Sequence, residues 1–163
     1  MSKSGLFAYL GSREELQLAT TERAREIFAS EVIEPSLELP AGLDRLRALC
    51  ESWLLNVERG VFHGGCLFAT TNAEFANRPG VVRDRLAALT EDWLGVLEAT
   101  IRAARRKGQL RDDVNPERLA FELFAVGDTT TRYHSLFGSI SVADASTTIR
   151  ELISRASTHI DDE

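Results

Sequence analysis

Between Val81 and Lys107 an apolar stripe recurs at three- and four-residue spacing: Val82, Leu86, Leu89, Trp93, Val96, Leu97 and Thr100. That is the period of an α-helix, whose side chains three and four apart share one face. A helix of this length is about 40 Å long at about 1.5 Å per residue. Arg105, Arg106 and Lys107, followed by Gly108, form a strong stop. Cations suit the negative end of the helix, and glycine can take the left-handed turn that closes it.

The same period governs the rest of the chain. A helix opening at Ser12 carries Leu16, Thr20, Ala24, Ile27 and Phe28 on one side and runs to about Glu34, where Pro35 disfavours helix at the residue before it. After Pro40-Ala41-Gly42, the residues Leu43, Leu46, Leu49, Cys50, Trp53, Leu54 and Val57 form a second stripe that ends near Gly60. Residues 61–80 are the least regular stretch, with Gly64-Gly65 and Pro79-Gly80 as breaks and a short helix expected over 66–75. Asn115-Pro116 gives an N-cap followed by proline at the first helical position, opening a helix that reaches about Phe137. Ser141 and Asp144 resemble a capping box for a last helix with Val142, Ala145, Ile149, Leu152 and Ala156 on one face. Sustained period-two alternation is absent, as is any hairpin dipeptide between apolar runs. The expected fold class is all-α, a helical bundle.

Composition narrows the function. With 163 residues and an apolar fraction of 44% the chain can bury a sizeable core. No run of eighteen or so apolar residues marks a membrane span, and no leader pattern opens the chain. A cytoplasmic protein without membrane partners is expected. The net charge of −6 argues against a surface that binds nucleic acid all over, so any DNA contact must be local. Cys50 and Cys66 fit no zinc spacing and read as two free thiols.

Chemistry-bearing groups are sparse. His63-Gly64-Gly65-Cys66 sets a base near a thiol with glycine amides beside them, which would suit nucleophilic catalysis. No third residue that would orient the base can be named. A metal site from His63 and His134 lacks any pair at ligand spacing. No enzyme activity, metal or cofactor is therefore expected. Residues 119–126 are apolar nearly all round, which suits a helix serving both its own core and a second subunit. Asp128 interrupts that helix and must pair, with Arg132 or across an interface, or reach a cavity.

The first sixteen residues are the most specific stretch. Ser2-Lys3-Ser4-Gly5-Leu6-Phe7-Ala8-Tyr9-Leu10 reads as a short helix, and Gly11-Ser12-Arg13-Glu14-Glu15-Leu16 as a break, a capping box and a new helix. This pattern resembles the recognition helix and following turn of TetR-type transcriptional regulators. Phe7, Tyr9, Leu10 and Arg13 stand where the family usually carries Tyr, His, Phe and Lys. The succession of helices downstream is similar to the regulatory body of the same family.

The resemblance implies a TetR-type helical bundle, residues 17–163 forming the ligand-binding and dimerisation domain and residues 1–16 a remnant of the helix-turn-helix domain. It also implies a ligand-responsive regulator, a repressor that binds operator DNA as a homodimer when complete. Ser2, Lys3, Ser4 and Gly5 would meet base edges, while Phe7, Tyr9 and Arg13 would position the phosphate backbone. The family places an arm and two helices before this segment, so a start codon placed too late is expected. Residues 1–10 are expected to be frayed or docked on a neighbour, because a helix so short is unstable alone. Two basic groups, Lys3 and Arg13, give a salt slope of only about −1.8, so the chain as given should bind DNA poorly. The alternative is a headless dimerisation or ligand-binding module that reads no DNA.

The resemblance further places a pocket for a mostly apolar small-molecule effector inside the bundle. Trp53, Phe62, Phe68, Trp93 and Tyr133 are its expected apolar wall, with Asn56, His63, Cys66, Thr71 and Asn72 beside them. Phe121, Phe124, Asp128, Ile149, Leu152 and Ile153 are expected in or near the dimer seam.

Overall fold

The computed structural model describes residues 13–60, 74–137 and 140–158. Helix α1 (Arg13–Phe28) continues through a π-helical segment (Ala29–Ile33) and one α-turn (Glu34–Leu37). Then come α2 (Leu43–Glu58), α3 (Val81–Arg106), α4 (Pro116–Phe137) and α5 (Ile140–Ala156). The fold is all-α. Among the described residues the only β-type pairing is an isolated antiparallel bridge between Leu110 and Ser157.

The stripes become the core. From α2 come Leu46, Leu49, Cys50, Trp53, Leu54 and Val57; from α3, Trp93, Leu97, Ile101 and Ala104. Leu119, Ala120 and Leu123 of α4 and Val142, Ala145, Ile149 and Ile153 of α5 close it. Helix α2 packs on α3, α4 and α5 at once, which is why its stripe is so broad. Burial pushes the Cys50 thiol up to about 12, with the Glu51 carboxylate adding to the rise.

The helix ends follow local rules. Gly108, with φ of 68°, lets Gln109 N–H reach Ala104 O at 3.0 Å and Gly108 N–H reach Arg105 O at 2.9 Å, the Schellman pattern. Asn115 Oδ1 accepts from Arg118 N–H at 2.7 Å, so Asn115 caps α4 with Pro116 at its first position. The α3–α4 connection is tied down to both α2 and the end of α5. Arg111 N–H reaches Ala156 O at 3.0 Å, and Gln109 Oε1 accepts from Leu43 N–H at 3.1 Å at the open end of α2.

Three details depart from the sequence reading. The helix does not stop before Pro35: the π segment passes the chain into a new α-turn in which proline occupies the first turn, where its missing N–H removes no interior bond. Thr21 rather than Thr20 is the buried threonine of α1, while Leu16, Ala24, Ile27 and Phe28 face inward as their spacing predicts. Helix α5 opens at Ile140, so Ser141 lies inside it rather than at its cap. The expectations for residues 1–12, and for the short helix over 66–73, lie outside the described residues.

Candidate functional site

Two core tryptophans meet edge to face, Trp53 on α2 and Trp93 on α3, with ring centroids 5.5 Å apart. Phe28 at the end of α1 meets Trp93 in the same way at 5.1 Å, and Phe124 on α4 lies 6.0 Å from Trp53. A cavity of about 190 Å³ lies among these rings. Leu89, Val96 and Ile33 complete its apolar lining.

Why the rings sit there is legible at Gly127. A Cβ at this position of α4 would lie 2.7 Å from Cε3 of Trp53 and closer still to Cζ3 and Cη2. Only a glycine leaves room for the indole against the helix backbone here. The π segment shapes the opposite wall, because Phe28, Ala29 and Ile33 on or beside it all line the cavity. Single π turns inside α-helices occur often at functional sites.

The polar lining is confined to a few groups. Arg25 and Asp92, both exposed, mark the mouth. Thr90, Asp128 and Thr131 lie further in. Arg25 Nε donates to Glu22 Oε2 at 2.9 Å, and Glu22 is also gripped by Nε and Nη2 of a bidentate Arg85 guanidinium, Nη2 at 3.1 Å. That pairing holds the Glu22 carboxyl at about 2, well below its ordinary range, and clamps α1 to α3 beside the cavity. Arg132 Nη2 donates to Asp128 Oδ2 at 2.6 Å, one turn along α4. The hydroxyls of Thr90 and Thr131 donate to Leu86 O at 3.0 Å and Gly127 O at 2.9 Å. Two buried donors, Asn56 Nδ2 and Trp93 Nε1, have no hydrogen-bond partner among the described residues. Such groups carry a desolvation cost of about 1–3 kcal/mol each.

Of the residues expected to form a pocket, the structure brings Trp53 and Trp93 together in the cavity wall. Asn56 is buried one helical turn from Trp53 but does not line the void. Tyr133 is displaced from it: it is 53% exposed and lines a separate groove between α4 and α5 with Phe137 and Thr148. The helical period carries position 133 to the outer face of α4. Phe62, His63, Cys66, Phe68, Thr71 and Asn72 lie outside the described residues, as do Ser2, Lys3, Ser4, Gly5, Phe7 and Tyr9. Arg13 is the first residue of α1 and is exposed.

The expected seam residues divide. Phe121 is 64% exposed on the outer face of α4. Phe124 turns inward to Trp53, and Asp128 lines the cavity while pairing with Arg132. Ile149 and Ile153, at 4% and 2% exposed, pack into the core of their own chain. Leu152 is half-buried against the same core. Sequence reasoning missed Phe28, Ile33 and Asp92 as cavity residues, because which side chains of α1 and α3 border the void depends on how the two helices pack.

Among the described residues no cluster of His, Cys, Asp and Glu could hold a metal ion, and no helix is long and apolar enough to cross a membrane.

Comparison with known proteins gives a family and a fold. The model of the tetracyclin repressor-like C-terminal domain matches residues 42–150. No curated protein sequence matches the chain. Among solved structures, a TetR-family transcriptional regulator from Streptomyces coelicolor is similar at a TM-score of 0.79 and 16% identity, over 96% of this chain and 79% of that one. AibR, solved in complex with isovaleryl coenzyme A and operator DNA, gives 0.74 and 20%, over 95% and 80%. A TetR regulator from Chloroflexus aurantiacus gives 0.71 and 20%, over 96% and 76%.

Proposed function

The chain belongs to the TetR family of transcriptional regulators, and from that premise we propose that it is a ligand-responsive repressor whose effector seats in the aromatic cavity. The observation that carries this reading is where the cavity lies. It opens against the π segment of the helix whose other end, at Arg13, adjoins the stretch that resembles a recognition helix. A ligand pressing on Phe28, Ala29 and Ile33 would act on that helix directly. Only its differential contact with two positions of α1 could shift the balance between DNA-binding and released forms. The Glu22–Arg85 clamp holds one of those positions.

We propose the outer faces of α4 and α5 as the homodimer seam, with Phe121 as its exposed aromatic anchor and Tyr133 beside the groove. In a dimer the two recognition segments would be set for half-sites about 34 Å apart, and effector binding would change that spacing.

The test is binding of the full chain to DNA from upstream of its own gene, by fluorescence anisotropy across a salt series, beside a Val96→Trp variant that fills the cavity. Weaker DNA binding by the variant, with dimerisation intact, is the expected result. Equal affinity would refute the coupling. A chain that dimerises but binds no DNA even at low salt would favour the module that reads no DNA, in keeping with its net charge of −6.

A further inference from the structure

We propose that the cavity takes an uncharged, hydrocarbon-like molecule of one ring and a short chain; this deepens the effector reading above and rests on it. Size sets the first limit. An apolar cavity of about 150 Å³ stays dry and admits benzene, and this one is about 190 Å³. A single ring with a two-carbon chain, roughly eight heavy atoms on that scale, fills it. Apolar side chains from α1, the π segment, α2, α3 and α4 surround that volume. Seating a hydrocarbon there therefore removes apolar surface from water on both partners.

The second limit is charge. Among the described residues three charged side chains line the cavity, Arg25, Asp92 and Asp128, and each has an opposite charge beside it. Arg25 is bonded to Glu22, and Asp128 to Arg132. Glu22 is shared with Arg85, whose ionised form is favoured first by that bond and also by the Asp92 carboxylate, two turns along α3. Lining residues and their partners thus set the guanidinium groups of Arg25, Arg85 and Arg132 against the carboxylates of Glu22, Asp92 and Asp128. An ion entering this site would leave its water and find every opposite charge already engaged. Taking one would strand the group that now holds it. The mouth carries one charge of each sign, so it presents no field that draws in an ion of either kind.

Donors for an anion are as scarce. The hydroxyl hydrogens of Thr90 and Thr131 go to Leu86 O and Gly127 O. Trp93 Nε1–H has no partner among the described residues, but it is buried with essentially no accessible surface and stands back from the void. A carboxylate would lose its hydration with no unengaged donor among them to replace it.

Both tryptophans of the chain line the cavity, so intrinsic fluorescence reads its occupancy, and equilibrium dialysis gives the stoichiometry. Ethylbenzene, benzylamine and benzoate are rings of nearly equal size that are neutral, cationic and anionic near neutral pH. Ethylbenzene should bind at least roughly tenfold more tightly than either ion, and Val96→Trp should abolish that binding. Arg132→Gln frees the Asp128 carboxylate, so benzylamine should gain at least about fivefold on ethylbenzene. Arg25→Gln, at the exposed mouth, tips the balance the same way and serves should the first variant fold poorly. Benzylamine or benzoate matching ethylbenzene in the parent chain, or benzylamine gaining nothing in either variant, would overturn the ligand class and leave the effector cavity standing. Ethylbenzene that binds yet leaves the DNA anisotropy unchanged would uphold the ligand class and remove the effector reading. No binding of any of the three by either readout would overturn the cavity as a ligand site, and this proposal with it.

Discussion

Gly127 and Gly95 both lie inside long helices, and replacing each with alanine separates packing from propensity. Alanine gains about 0.8–1 kcal/mol over glycine in a helix interior. At Gly95 of α3 a Cβ would meet nothing within 4 Å, so the gain should appear in full. At Gly127 the Cβ would lie 2.7 Å from Trp53 Cε3 and nearer to two other ring atoms. The indole is rigid, so the whole ring must move, and the adjoining cavity is the space into which it can go. Overpacking of this kind costs about 1–3 kcal/mol. Against the propensity gain, Gly127→Ala should be up to about 2 kcal/mol less stable than the parent. The propensity gain is common to both variants, so they should differ by about 1–3 kcal/mol, or roughly 2–12 °C in melting temperature for a chain of this size. Urea denaturation and thermal melts measure the gap, and tryptophan fluorescence of Gly127→Ala should report a displaced Trp53. If both substitutions stabilise the chain equally, Trp53 does not lie on the α4 backbone, and the account of how the cavity is formed fails.

Other consequences follow from single contacts. The Glu22–Arg85 pair lowers the folded-state carboxyl to about 2, below its ordinary 4.5, so its contribution is present above about pH 4.5 and lost as the pH falls towards 2; Glu22→Gln should flatten the acid limb of a stability–pH curve, and an unchanged limb would show the clamp to be too solvent-screened to matter. Cys50 is buried with its thiol held near 12, so iodoacetamide at pH 8 should leave it unmodified in the folded chain and modify it in urea; peptide mass mapping decides between these. Asn115→Ala removes the cap on α4 and should cost about 1 kcal/mol in urea denaturation, a loss that Asn115→Asp should largely avoid. Phe121→Glu, on the proposed seam, should sediment as a monomer with its melting behaviour little changed; a dimer of unaltered affinity would place the seam elsewhere.

What the sequence determined by itself is what depends on near neighbours along the chain. The stripes of α2 and α3, the Gly108 stop and the Asn115 cap are set by residues three or four apart, and each appears in the structure where its pattern places it. The family was legible for a similar reason, since a helix order and a capped turn are local words. Tertiary packing decided the rest. Whether Pro35 ends a helix depends on a π turn that packs against α2, and no local pattern announces that turn. Whether an aromatic residue is wall, core or surface depends on how each helix is rotated about its axis. Trp53 and Trp93 meet across a void, Phe124 turns inward, and Tyr133 from the same helix faces outward. A rotation of one residue is about 100°, enough to carry a side chain from the cavity to solvent. That angle is fixed by contacts between helices far apart in sequence, such as Trp53 on Gly127, and only the folded chain brings them together.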